Sequence, residues 1–143
     1  MKSYLSDPII WEQPRFKDQY IMELIELVND EEGNIKIEAI EILSDLLEHV
    51  DKGYVEKDFV AAVLDTMTVD IQDIVMRLAK IIGKVVYKMS QYELHIAYKD
   101  KFIGFYQEMY HHKEIEMRRH AAYNLPCFNH LYYEYQEENG IDF

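Results

Sequence analysis

Cysteine occurs once in the 143 residues, at Cys127. A single thiol excludes an internal disulfide and a cysteine-based zinc site, and makes the cytosol the expected, reducing compartment. Five glycines and three prolines are too few for a turn-rich β-sandwich or a flexible linker. The glycines are scattered at 33, 53, 83, 104 and 140, so no phosphate-cradling loop is present and no cofactor is expected. No apolar run approaches the ~18–20 residues that span a bilayer, and the opening "MKSYLSDPIIW" lacks the apolar stretch of a secretory signal. Basic residues are scarce too, above all in the first half. Residues 1–70 hold 6 Lys/Arg against 17 Asp/Glu and residues 71–143 hold 9 against 10, for a net charge of −12. Such acidity repels phosphate backbones and anionic headgroups. It argues against nucleic acid and membrane as partners and for a protein with a basic surface.

What the chain does have is helix-forming periodicity from end to end. Hydrophobic content is 49% and charged content 29%, normal for one folded domain of this length. Apolar stripes at helical spacing run through Tyr20, Ile21, Leu24, Ile25 and Val28, then Ile35, Ala39, Ile42, Leu43, Leu46 and Leu47. Others run through Phe59, Val60, Val63, Leu64 and Met67, then Ile74, Val75, Leu78, Ala79 and Ile82. The last two contain Ile96, Phe102, Ile103, Tyr106 and Met109, then Met117, Ala121, Leu125 and Phe128. The expectation is an all-α fold of six helices in three antiparallel pairs, because the connections are short.

The pairs superpose. Asp30, Ile35, Lys36, Ala39 and Leu43 correspond to Asp70, Val75, Met76, Ala79 and Gly83, and then to His112, Met117, Arg118, Ala121 and Leu125. The spacing is 40 residues, then 42, the period of stacked helix pairs. The alanines suit close helix approach, and the aspartates are candidates to cap the second helix of a pair. This pattern, Asp-x4-apolar-Arg-x2-Ala-x3-Leu, resembles the HEAT repeat over residues 15 to 135. The resemblance implies an α-solenoid of about three HEAT-like helix pairs in one domain, 1–143, with repeats at roughly 15–50, 54–90 and 91–136. Residues 1–14 would be a cap or lead-in. It also implies a ladder contact from Asp70 to Arg118. The segment "MRRHAAYNLPCF" is similar to segments of HEAT-type regulatory and scaffold subunits of type 2A-like serine/threonine phosphatases. That implies a phosphatase catalytic subunit as partner.

Enzymatic readings lack parts. Pro126 is expected to bend or break its helix at the carbonyl of Ala122. Cys127 reads as a small buried apolar residue rather than a nucleophile served by His120 or His130. His112, Glu116 and His120 are spaced four and four, a spacing that puts them on one helical face, but without a His-Glu-x-x-His motif they read as a charged surface. A HEAT-like iron hydroxylase would need His-Glu dipeptides, and the nearest here is the reversed Glu48-His49. No catalytic or metal-binding residue is assigned.

The expected function is that of a non-enzymatic protein-interaction scaffold or regulatory module. Its binding ridge would follow the turns inside the pairs, with Glu31, Glu32, Asn34, Asp73, His112 and Glu116 as candidates. Tyr132, Tyr133 and Tyr135, in "LYYEYQ", cover more than one face of the last helix. They would pack on a further repeat, fold back as a cap, or bind a partner. In the alternative reading the chain is a structural subunit that docks into a large assembly through this aromatic end.

Overall fold

The computed structural model describes residues 14–94 and 97–139, with side chains from 15 to 94 and from 97 to 129. Among the described residues every regular element is helical. Helix α1 spans Pro14–Val28 and α2 spans Gly33–Ser44, followed by a 3₁₀ turn, Leu47–His49. The α3 run, residues 52–67, is α-helical at Lys52–Tyr54, π-helical at Val55–Phe59 and α-helical again at Val60–Met67. Helix α4 spans Gln72–Ser90, α5 Lys99–Tyr110 and α6 Ile115–Asn139. The six helices expected from periodicity are therefore present. The turns that open α2, α4 and α6 are 29–32, 68–71 and 111–114, each four residues long. Ile96 of the expected fifth stripe and the lead-in 1–13 lie outside the described residues.

Two compact units, Met1–Val63 and Leu64–Phe143, divide the chain inside α3. In the first, α1 packs on α2 and on the π turn. Ile21, Leu24, Ile25 and Val28 meet a face of α2 built from Ile37, Ala39, Ile40 and Leu43, all buried. Fully burying a side chain of this size contributes about 1.5–3 kcal/mol. The π turn buries Val55 and Phe59. At its rim Asn29 donates from Nδ2 to the Ile25 carbonyl (3.0 Å) and to Asp58 Oδ1 (2.9 Å). Helix α2 stops where the buried Ser44 hydroxyl donates to the Glu41 carbonyl (2.8 Å), competing with the helical ladder.

In the second unit α6 packs against both α4 and α5. Helix α4 buries Ile74, Leu78, Ala79, Ile82, Gly83, Val85, Val86 and Met89. It ends in a Schellman arrangement: Leu94 N–H donates to Met89 C=O (3.2 Å) and Glu93 N–H to Ser90 C=O (3.1 Å). The left-handed position is held by Glu93, with φ 59°, rather than by glycine. Tyr106 on α5 lies against Phe128 on α6, ring centroids 4.6 Å apart, and its hydroxyl donates to the Ala121 carbonyl (2.7 Å). Burial, reinforced by the neighbouring Tyr110, pushes the Tyr106 hydroxyl up to about 12.

The three aligned alanines, Ala39, Ala79 and Ala121, are all buried. The other aligned positions diverge. Leu43 and Gly83 are buried, but Leu125 is 44% exposed. The interior face of α6 is instead Met117, Ala121, Asn124 and Phe128, spaced four, three and four. Leu125, one residue past Asn124, is rotated about 100° away from it. Ile35 is likewise exposed.

Helix α6 runs without interruption through Pro126, so of the expected bend or break the break does not occur. Pro126 and Ala122 both lie on the exposed side. Solvent can therefore take the Ala122 carbonyl that proline leaves without a helical donor.

Candidate functional site

Turn 29–32 carries the most acidic of the expected binding residues. Asp30 accepts the Glu32 N–H on Oδ1 (2.7 Å), an Asx-type closure of the turn. Its carboxylate is thus committed two residues on, and the N-cap of α2 is Glu32, which makes no side-chain cap bond. Glu31, Glu32 and Asn34 are all exposed, and Asn34 Nδ2 donates to Glu32 Oε1 (3.3 Å). These three side chains form one polar corner at the start of α2.

The third turn repeats the device with a different side chain. His112 accepts the Glu114 N–H on Nδ1 (3.0 Å), so imidazole fills the role of the Asp30 carboxylate. Arg118 then locks the turn by donating from Nη1 to the carbonyls of His112 (2.7 Å) and Lys113 (3.0 Å). This occupies the guanidinium locally, and the ladder contact with Asp70 is not made. Asp70 does not cap α4 either, since the N-cap is Ile71 and lacks a side-chain cap bond.

His112 sits in the turn rather than on α6, which begins at Ile115. His112, in the connection between the two helices, therefore does not share a helical face with Glu116 and His120. Among the described residues no group of three or more His, Cys, Asp or Glu is placed to hold a metal ion. Glu116 is exposed in the first turn of α6, and its Oε1 lies 4.0 Å from Arg119 Nη1. Asp73 is exposed in the first turn of α4.

The second and third turns share a groove of about 260 Å³ within the second unit. Asp70, Gln72 and His112 line it together with Phe105, Met109 and Met117. Asp73 and Glu116 are not among its lining residues. Tyr132, Tyr133 and Tyr135 fall on the α6 backbone, but their side chains lie outside the described residues.

Sequence reasoning missed Asn124. This side chain is 4% exposed and bridges α6 to α4. Its Nδ2 donates to the Ala79 carbonyl (2.9 Å) and to the His120 carbonyl (2.7 Å), and its Oδ1 accepts the Gly83 N–H (3.2 Å). The amide thus pairs with both ends of one i to i+4 step of α4. Gly83 makes this possible, because a Cβ there would stand 2.6 Å from Asn124 Oδ1 and 2.9 Å from its Cβ. The available signal was a glycine in mid-helix, at the aligned position where the first pair has Leu43.

Cys127 is half-buried rather than buried. It lines a wider groove of about 630 Å³ with Lys80, Lys84, Arg119, His120 and Tyr123. Among the described residues no hydrogen bond joins His120 to Cys127. No helix among the described residues is long and apolar enough to cross a membrane. Comparison of the chain with protein-family models, curated proteins and solved structures returns no match.

Proposed function

We propose that this chain is a HEAT-type module of three helix pairs, stacked as a short solenoid, that binds another protein and carries out no chemistry of its own. The observation that carries this reading is the repeated turn. Three four-residue turns open the second helices, and two are closed by the same side-chain bond to the N–H two residues on. A turn fixed in this way holds its neighbouring side chains outward at little entropic cost, as a binding ridge requires. The packing of α4 on α6, the second helices of consecutive pairs, supports the stacking.

Glu31 and Glu32, with Asn34 beside them, form the primary contact, and their charge suits Lys/Arg on the partner. Asp73, His112 and Glu116 extend the ridge at the later turns. A scaffold or regulatory place in a phosphatase-like complex is the specific setting, supported by the likeness of residues 117–128 to such subunits.

The test is affinity capture from a lysate on the wild-type chain and on a Glu31→Lys/Glu32→Lys variant. Retention of a phosphatase catalytic subunit by the wild type, and its loss from the variant, is the expected outcome. A large complex lost only when Tyr132→Ser/Tyr133→Ser is introduced would overturn it in favour of a structural subunit.

A further inference from the structure

The α4–α6 groove has a character opposite to that of the acidic turns. Lys80 and Lys84, one helical turn apart, line it from α4, and Arg119 and Tyr123, also one turn apart, line it from α6. We propose that this groove binds an acidic peptide segment of a partner protein. Asp or Glu side chains pair with Lys80, Lys84 and Arg119, and an apolar residue packs on Tyr123. The site goes beyond the acidic-turn surface and does not depend on it.

Charge sorting is the first support. The three charged side chains that line the groove, Lys80, Lys84 and Arg119, are all cationic, on a chain that holds 15 Lys/Arg against 27 Asp/Glu. A basic face kept on so acidic a protein excludes basic ligands from the groove and steers acidic ones into it. Tyr123 is the second support. It is 79% exposed, the highest value among the exposed large hydrophobics of the described chain, and a rigid aromatic beside cationic side chains is a common anchor at interfaces. The third is preorganisation. The Asn124 amide and the close approach at Gly83 fix the spacing of the two helices beneath the groove, so little ordering remains for binding to supply. The Arg119–Glu116 contact, 4.0 Å long and exposed on both sides, is too weak to compete with an incoming carboxylate.

Cys127, the single cysteine, lines this groove and provides a reporter at the site. The probe is a fluorescent peptide of alternating Glu and Leu, compared with its Gln/Leu counterpart. Two readings are taken, peptide anisotropy and the rate at which a neutral maleimide alkylates Cys127. Saturating acidic peptide is expected to slow alkylation at least ~5-fold. Lys80→Glu/Lys84→Glu is expected to weaken binding ~10-fold or more, and added salt to weaken it further. The Glu31→Lys/Glu32→Lys variant is expected to bind this peptide with unchanged affinity, which separates failure of the groove from failure of the turn. Should the double reversal fail to melt cooperatively, Lys80→Gln is read instead, with ~3-fold weakening expected for one rim charge. Equal binding of the Gln/Leu peptide would overturn the proposal. So would unchanged alkylation at saturation, unaltered affinity in the charge variants, absence of binding below ~1 mM, or equally tight binding to anionic phospholipid vesicles.

Discussion

Turn 29–32 and the α4–α6 seam are built in contrasting ways. The turn is an exposed acidic corner fixed by one bond, from Glu32 N–H to Asp30, and nothing in the interior depends on Glu31 or Glu32. The seam is a buried amide fitted against a glycine, with a basic groove above it lined in part by that same amide. The contrast shows how differently two binding surfaces can relate to stability. Charge at the turn can change without cost to the fold, whereas the shape of the groove is inseparable from helix packing.

The largest effect is expected from Asn124→Ala. It strips the Ala79 carbonyl of its side-chain donor and leaves a gap between α4 and α6, a loss of about 2–4 kcal/mol in urea denaturation. Acidic-peptide binding should weaken with it. At the turn no single side-chain truncation should approach this value.

Gly83→Ala comes next. An added Cβ at 2.6 Å from Asn124 Oδ1 must displace the amide, and a loss of about 1–3 kcal/mol is expected. In an Asn124→Ala background the obstruction is gone, and the same substitution should stabilise by up to ~1 kcal/mol through helix propensity. This reversal of sign in a double-mutant cycle would establish the contact. Additive losses would refute it.

Tyr106→Phe removes one buried hydrogen bond and should cost about 1 kcal/mol near neutral pH. Its alkaline behaviour is more telling. In the unfolded chain a tyrosine ionises near 10, while the folded state holds the Tyr106 proton to about 12. The resulting stabilisation is present below pH 10 and is lost as pH rises towards 12, at no more than about 1.4 kcal/mol per unit. Unfolding at pH 9 and pH 11 should show a steeper fall for the wild type than for Tyr106→Phe.

The smallest effect belongs to the turn itself. Glu31→Lys/Glu32→Lys should leave stability within about 0.5 kcal/mol of the wild type, because both side chains are exposed and Asp30 closes the turn through the residue 32 backbone. A larger loss would mean that the acidic corner also serves the fold.

The helices, their order and the three turns were legible because apolar spacing and the recurrence of Asp30, Asp70 and His112 report local structure directly. The seam was not. A buried polar residue leaves no mark on a hydrophobic stripe, so Leu125 stood in for Asn124 although it faces solvent. The groove was hidden by averaging: residues 71–143 are nearly neutral in sum, and only the fold gathers Lys80, Lys84 and Arg119 around one groove. The His112 turn bond was not legible because the pattern marks only the aspartates as turn acceptors, whereas imidazole Nδ1 accepts the same kind of bond.

The most direct test is a two-by-two titration, in which the Glu/Leu peptide and a Lys/Leu peptide are each measured against the two charge-reversed variants. Glu31→Lys/Glu32→Lys should lose only the basic peptide, and Lys80→Glu/Lys84→Glu only the acidic one. If each variant instead shifted both peptides in proportion to its net charge, the two surfaces would be general electrostatics rather than separate sites, and the account would fail.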